Sequence, residues 1–213
     1  MLKSSIGVSR EGIPYILITA FITLVFAVAG WIYVALPFVG LTLFVGHFFR
    51  DPERVQPHDE NKVVSPADGK VIKIEREIDP ITGVEKQVVA VFMNVFNVHV
   101  NRTPVAGTVK EIQYIPGKFI NASFDKASTD NERCGMEIVT DAGESFTMVQ
   151  IAGLIARRIV CWAEKGDKLG RSERYGLIKF GSRVDLYIPD GYSVLTKVGD
   201  KVVAGETPLA IKK

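Results

Sequence analysis

Pro66-Ala67-Asp68-Gly69-Lys70-Val71-Ile72-Lys73-Ile74 is matched further along the chain by Pro104-Val105-Ala106-Gly107-Thr108-Val109-Lys110-Glu111-Ile112, with Pro, Gly, Val and Ile at the same four of nine places. Each copy sets a proline and a glycine ahead of a run rich in β-branched residues, the order of a turn feeding a strand. The same texture extends both ways. Val63–Val64, Val71–Ile74, Gln87–Met93, Val109–Tyr114, Glu137–Thr140, Ser145–Ile151, Val184–Ile188 and Lys201–Ala204 read as strands. Ala67-Asp68-Gly69, Asp79-Pro80, Pro116-Gly117, Asp141-Ala142-Gly143 and Pro189-Asp190-Gly191 read as the turns between them. Only Ile155–Glu164 and Phe124–Thr129 suggest helix here. Many short strands punctuated by turn residues predict a β-rich α+β body.

Val198-Gly199-Asp200-Lys201-Val202-Val203-Ala204-Gly205-Glu206 is similar to the hammerhead turn of biotinyl and lipoyl domains. Together with the repeat it predicts a duplicated barrel-sandwich, a lipoyl-like hammerhead body. A carrier domain of that kind needs an exposed lysine at a hairpin tip, flanked by Met or Ala, and neither repeat has one. A non-enzymatic lipoyl-like membrane adaptor module is the alternative from this side.

The N-terminal part has a different composition. From Ile13 to Phe49 there is no Asp, Glu, Lys or Arg, in a chain of 213 residues that elsewhere carries 26 basic and 24 acidic side chains. The stretch exceeds the ~20 apolar residues of one upright span, and Gly30, Pro37 and Gly40 interrupt it. A tight helical hairpin and a single span followed by an interfacial segment both fit. It is too long for the apolar part of a signal peptide. Lys3 and Arg10 before it and Arg50 and Arg54 after it favour ends on the cytoplasmic side. Residues 1–49 are therefore expected to be a membrane anchor, 50–62 a linker and 63–213 the functional domain. The net charge of +2 leaves no basic excess for nucleic acid. Cys134 and Cys161 lack the spacing of a metal site, and no metal is expected; two reduced, partly buried thiols are.

The residues able to do chemistry are few. His47 lies in the apolar stretch and His58 in the linker, which leaves His99 as the acid–base candidate of the domain, beside the alternative of a structural histidine. Asp68 precedes Gly69 in a turn, where most aspartates only cap. Gly181-Ser182 enters a strand between Phe180 and Arg183. A strained Gly-Ser bond can undergo an N→O acyl shift, in which the serine oxygen takes over the glycine carbonyl as an ester. Loss of the α-proton expels that ester, and the dehydroalanine left behind hydrolyses to a pyruvoyl group. A glycine before the serine leaves room for the attack.

Several segments in order carry a resemblance: Phe49-Arg50-Asp51-Pro52, Ser65-Pro66-Ala67-Asp68-Gly69, the His99 segment, Phe119-Ile120-Asn121-Ala122-Ser123-Phe124-Asp125-Lys126, Asn131-Glu132-Arg133, Gln150-Ile151-Ala152-Gly153 and Ile178-Lys179-Phe180-Gly181-Ser182-Arg183. Through them the chain resembles, over nearly its whole length, the short, membrane-anchored form of the phosphatidylserine decarboxylase family. The resemblance implies self-cleavage between Gly181 and Ser182 into a β chain (1–181) and an α chain (182–213) that remain associated. Ser182 would become a pyruvoyl cofactor that forms a Schiff base with the amine of a phospholipid substrate and draws off the electrons left by CO₂. It implies a role in processing for Asp68 and in decarboxylation for His99. Longer relatives carry a second histidine, part of an Asp-His-Ser relay, where this chain has Arg102, so the relay is not transferred as a unit. Arg102, Arg133, Arg157, Arg158 and Arg183 are unranked candidates for contacts to the substrate's anionic groups. The expected setting is the cell membrane, with the domain facing the cytoplasm, no nucleic-acid partner, and room for a homo-oligomer. Archaetidylserine, another serine-headed lipid, is an alternative substrate.

Overall fold

The structure is a computed structural model that describes residues 7–118, 121–123, 127–153, 158–179 and 182–213. The chain divides into two compact units, Met1–Glu53 and Arg54–Lys213.

The first unit is a pair of apolar helices, α1 (Ile13–Val28) and α2 (Ile32–Phe48), joined by a turn at Gly30, whose φ of +77° suits a residue without a Cβ. Pro37 lies inside α2, where it forgoes the bond to the Tyr33 carbonyl that helical geometry would make. Phe26 stacks on Trp31 and Phe38, and Tyr15 on Phe49, which ties the two helices together. The hydroxyls of Thr19, Thr23 and Thr42 donate back to the carbonyls of Tyr15, Thr19 and Phe38 at 2.8–2.9 Å, so these polar groups of an apolar stretch are satisfied within their own helix.

The second unit is β-rich. Its strands are β1 (Lys62–Val64), β2 (Gly69–Ile78), β3 (Glu85–Met93), β4 (Val100–Arg102), β5 (Gly107–Ile115), β6 (Arg133–Val139), β7 (Ser145–Ala152), β8 (Arg158–Cys161), β9 (Lys168–Leu169), β10 (Arg174–Lys179), β11 (Ser182–Ile188), β12 (Tyr192–Val194), β13 (Lys201–Val202) and β14 (Pro208–Lys212). One helical turn, α3 (Ala127–Asp130), precedes β6. The helix suggested from Ile155 to Glu164 is not what forms where the chain is described. Arg158–Cys161 is strand β8, because Ile159 and Val160 pair with Ile178 and Leu177 of β10 and bury Ile159 in the core.

Eight strands make one sheet in the order β13-β2-β3-β11-β7-β6-β5-β9, and β4-β10-β8 and β1-β14-β12 make two smaller ones. The large sheet reads the same from both edges. Gly69 opens β2 and Gly107 opens β5, each strand shifts register just after its valine (Val71, Val109), and each is flanked by a two-residue edge strand. The Val71 amide donates to the Asp200 carbonyl and the Gly199 amide to the Val71 carbonyl; Val109 does the same with Asp167 and Gly166. The edge strands belong to a second repeated stretch, Gly166-Asp167-Lys168 and Gly199-Asp200-Lys201, which reading the strand openings alone does not find. Within it Ser172 occupies the place of Gly205. The two share left-handed backbones (φ +64° and +75°), and Ser172 Oγ donates to the Gly205 carbonyl at 2.7 Å.

The core lies between the sheets. Val184, Leu186 and Ile188 of β11 enter it with Val71, Val89, Val91, Met93, Met136, Ile138, Phe146 and Met148. Alternation sends Arg183, Asp185 and Tyr187 to the opposite face, where Tyr187 packs with Val88, Val149 and Ile151. The turn after β2 folds over this face, and Ile81 sits where a Cβ on Gly135 would clash. Below it Asp79, fully buried, accepts from Lys86 Nζ and Thr147 Oγ1 at 2.7 Å.

Candidate active site at one end of the large sheet

The predicted residues Asp68, His99 and Ser182 come from three distant segments, and hydrogen-bonded backbone brings all three to one sheet end. Asp68 ends the turn before β2. Gly69 passes so close to β3 that a Cβ there would stand 2.1 Å from the Phe92 carbonyl oxygen. Met93, the next residue, is the register partner of Ser182, whose other neighbour is Ala152. His99 leads into β4, which pairs with β10 just ahead of Ser182, and its carbonyl accepts from the Ile178 amide. The Arg102 amide donates to the Pro66 carbonyl at 2.9 Å, which closes the ring of segments. Gly181, the other half of the predicted scissile bond, lies outside the described residues, as do Phe119, Ile120, Phe124 to Lys126 and Arg157.

The three side chains have separate partners. Asp68 Oδ1 accepts from the Ala204 amide at 2.8 Å, and both its oxygens lie 2.9–3.0 Å from Arg54 Nη2. The two side chains are only 12% and 11% exposed. His99 is fully buried, with Nδ1 2.9 Å from the Asn97 carbonyl. A carbonyl only accepts, so Nδ1 carries the hydrogen and Nε2 is the basic nitrogen. Ser182 is fully buried, and its Oγ donates to the Met93 thioether at 3.9 Å. Among the described residues Ser182 Oγ is bonded to neither Asp68 nor His99, so a serine-protease-like relay is not assembled in this arrangement.

Behind Ser182 runs a string of buried polar groups. Asn101 Nδ2 donates to the same Met93 sulfur at 3.7 Å, and Gln150 Nε2 donates to Asn101 Oδ1 at 2.8 Å. Gln150 presses on Gly176, where a Cβ would stand 2.9 Å from its Nε2. A glycine inside a strand is the mark of such close approach, and it points to Gln150 together with the Gln150-Ile151-Ala152-Gly153 segment. Asn101 and Met93 lie in the His99 segment, where only His99 stands out as a group for acid–base chemistry. Arg54 was visible only as a flanking charge.

The arginine candidates separate. Arg102 is 5% exposed and donates to the Ser172 carbonyl at 2.9 Å, in the contact between the two repeated turns. Arg183 points away from the Ser182 side chain and pairs with Asp185, both completely buried. Burial pushes the Asp185 carboxyl up against the pull of Arg183. Arg133 and Arg158 lie on strands adjoining the site, β6 and β8. Cys134 and Cys161 are free thiols that face one another; contact with Cys161 and burial push the Cys134 thiol up.

A family model described as phosphatidylserine decarboxylase matches residues 41–210. The chain is 57% identical over its whole length to the phosphatidylserine decarboxylase proenzyme of Nitratidesulfovibrio vulgaris, covering 98% of that protein. It is 58% identical to the proenzyme of the same name from Solidesulfovibrio magneticus, with 100% of this chain and 99% of that one covered. It is 46% identical to that of Geotalea uraniireducens, over 99% of each chain. With Asp68, His99 and Ser182 gathered at one sheet end, these matches make the chain a member of the phosphatidylserine decarboxylase family.

Proposed function

We propose that this chain is a self-processing decarboxylase that converts phosphatidylserine to phosphatidylethanolamine, and that Ser182 is the residue from which its catalytic group is made. The observation that carries the reading is the position of Ser182. It is the first residue of a central strand, fully buried, with its side chain on the core face beside a thioether and away from the Arg183–Asp185 ion pair. A small uncharged group fits that place. A pyruvoyl group there supplies an electron sink for the pair left when CO₂ departs. The chain's own residues do the rest. His99 Nε2 is the nitrogen able to hold or deliver a proton, and the Asn97 carbonyl fixes its tautomer. Asp68, clamped by Arg54 and the Ala204 amide, serves the processing half. Cleavage between Gly181 and Ser182 gives chains 1–181 and 182–213, which stay associated because β11 is bonded on one side to β3 and on the other to β7, both in the longer chain.

The domain reading follows the same lines: an anchor over 1–49, a linker over 50–62 and a decarboxylase domain over 63–213 with a lipoyl-like barrel-sandwich plan, which the palindromic sheet order and the twice-used Gly-Asp-Lys turn support. The anchor lies in the cell membrane with the domain on the cytoplasmic side. Residues 10–28 form a helix long and apolar enough to cross, and Leu17, Phe21 and Leu43 are all more than 60% exposed, as lipid-facing residues would be. Intact-mass measurement of the purified protein tests the reading. Two chains are expected, the smaller beginning with a pyruvoyl group that blocks Edman sequencing, together with release of CO₂ from phosphatidylserine vesicles. A single chain with a free serine and no CO₂ release would overturn it.

A further inference from the structure

We infer that Met93 is a positioning residue for the processed group, chosen because its thioether suits Ser182 both before and after cleavage. The inference rests on the proposed formation of a pyruvoyl group from Ser182. In that sequence Ser182 Oγ attacks the Gly181 carbonyl carbon and the peptide C–N bond breaks, giving an ester and a free amine. Loss of the α-proton then breaks the Cβ–Oγ bond, and the oxygen leaves with Gly181 as a carboxylate. Water replaces the nitrogen, ammonia departs, and the former Cβ ends as a methyl. The wall that faced a hydroxyl must therefore face a methyl.

Met93 is that wall, since its sulfur receives the Ser182 hydroxyl at 3.9 Å and both residues are fully buried. A carboxylate, amide or imidazole would bind the hydroxyl more firmly, then be left as a buried polar group against a methyl. An aliphatic side chain would suit the methyl but leave the hydroxyl without a partner. A thioether is a weak acceptor and a good apolar surface, so it serves both states. Asn101 Nδ2 holds the sulfur from the other side, and Gln150 holds Asn101; both are at most 1% exposed. The fold itself does not ask for methionine here. In the related half of the sheet the residue following β6, which stands to Gly107 as Met93 stands to Gly69, is Thr140, and its amide bonds to the Glu144 carbonyl.

The test uses the full-length protein with Met93→Leu and Met93→Gln. Self-cleavage is followed by intact mass. Leucine is expected to slow it about two- to five-fold and glutamine by at least about ten-fold, since a firm hydrogen bond would hold the attacking oxygen in its starting place. The second measurement is made in the Ser182→Ala background, which cannot cleave and carries a methyl at the same carbon. There the glutamine variant is expected to melt several degrees below the leucine variant. Equal cleavage rates together with equal melting temperatures for the two variants would overturn the inference. A wild-type protein that stays one chain would instead overturn the underlying pyruvoyl reading, and the melting comparison would still decide whether Met93 is a wall matched to a methyl.

Discussion

Replacing Arg54 by alanine removes the only cation on Asp68 that the described residues provide. Arg54 Nη2 lies 2.9 and 3.0 Å from the two carboxylate oxygens, and the Ala204 amide is the one donor that would remain. A hydrogen bond to a charged group contributes about 1.5–3 kcal/mol, and breaking a fully buried pair costs about 3–5 kcal/mol. With both side chains about one-tenth exposed, water softens the loss, and about 2 kcal/mol is expected. For a unit of this size that is a fall of roughly 4–8 °C in melting temperature. Circular dichroism melts in the Ser182→Ala background measure it without interference from cleavage. Asp68→Asn and the Arg54→Ala/Asp68→Asn pair complete a double-mutant cycle, and the coupling should exceed 1 kcal/mol in magnitude, above the ~0.5 kcal/mol of independent sites. In the Ser182 protein, Arg54→Ala should slow self-cleavage at least about ten-fold, the equivalent of about 1.4 kcal/mol. The double variant should regain stability without regaining cleavage, because the proposed function gives Asp68 itself a part in that step. Coupling below ~0.5 kcal/mol, or cleavage at the wild-type rate in Arg54→Ala, would refute the reasoning.

Other expectations test the remaining parts. Ser182→Ala should leave one uncleaved chain with no decarboxylase activity, seen by intact mass and CO₂ release. His99→Ala should lower decarboxylation by about 10²-fold or more; unchanged turnover would remove His99 from the proton-transfer role. Lys86→Met strips Asp79 of its buried cation and should cost about 3 kcal/mol at neutral pH. Although burial alone would raise it, Asp79 is held below its ordinary value by Lys86, Thr147 and the Ile81 amide. Its stabilising contribution is therefore present above the unfolded pKa of about 4 and lost as pH falls through the lowered folded value. Melts between pH 6 and pH 3 should show a steep acid limb in the wild type and a shallower one in Lys86→Met. Gly205→Ala places a Cβ 3.0 Å from Arg102 Cδ and Ser172 Cβ at a φ of +75°, and should cost about 1–3 kcal/mol by thermal melt.

What could be read from the sequence was what repeats or alternates. Valine- and isoleucine-rich runs bounded by Asp-Gly and Pro-Gly turns found β2, β3, β5, β7 and β11, because burial of one face imposes that pattern. One short edge strand escapes: β9 is two residues, too brief to show a period, and the repeat that reveals it lies in its turn, whereas β13 falls within the run Lys201–Ala204. β8 was misread because Ile155–Glu164 mixes apolar and charged residues at a spacing that also suits a helix. At the site, motif residues were found and their partners were not. Asp68 stood out through its turn, but Arg54 is fourteen residues earlier in a polar segment, and only folding joins them. Arg183 looked free to meet an anionic substrate; strand alternation puts it on the face opposite to the Ser182 side chain, beside an aspartate two residues on.

The place of Ser182 in the middle of the large sheet bears on the lifetime of the enzyme. On the proposed reading, a catalytic group carved from β11 would be part of the fold, bonded through its strand to β3 and β7. It could not dissociate, be exchanged, or be reloaded after chemical damage, as a diffusible coenzyme can. Each polypeptide would then make its group once, and an inactivated molecule would be restored only by synthesis of another chain. Supply of active sites would be set by translation and self-cleavage, independent of any vitamin pool, and a slow loss of the group during turnover would appear as irreversible ageing of the protein.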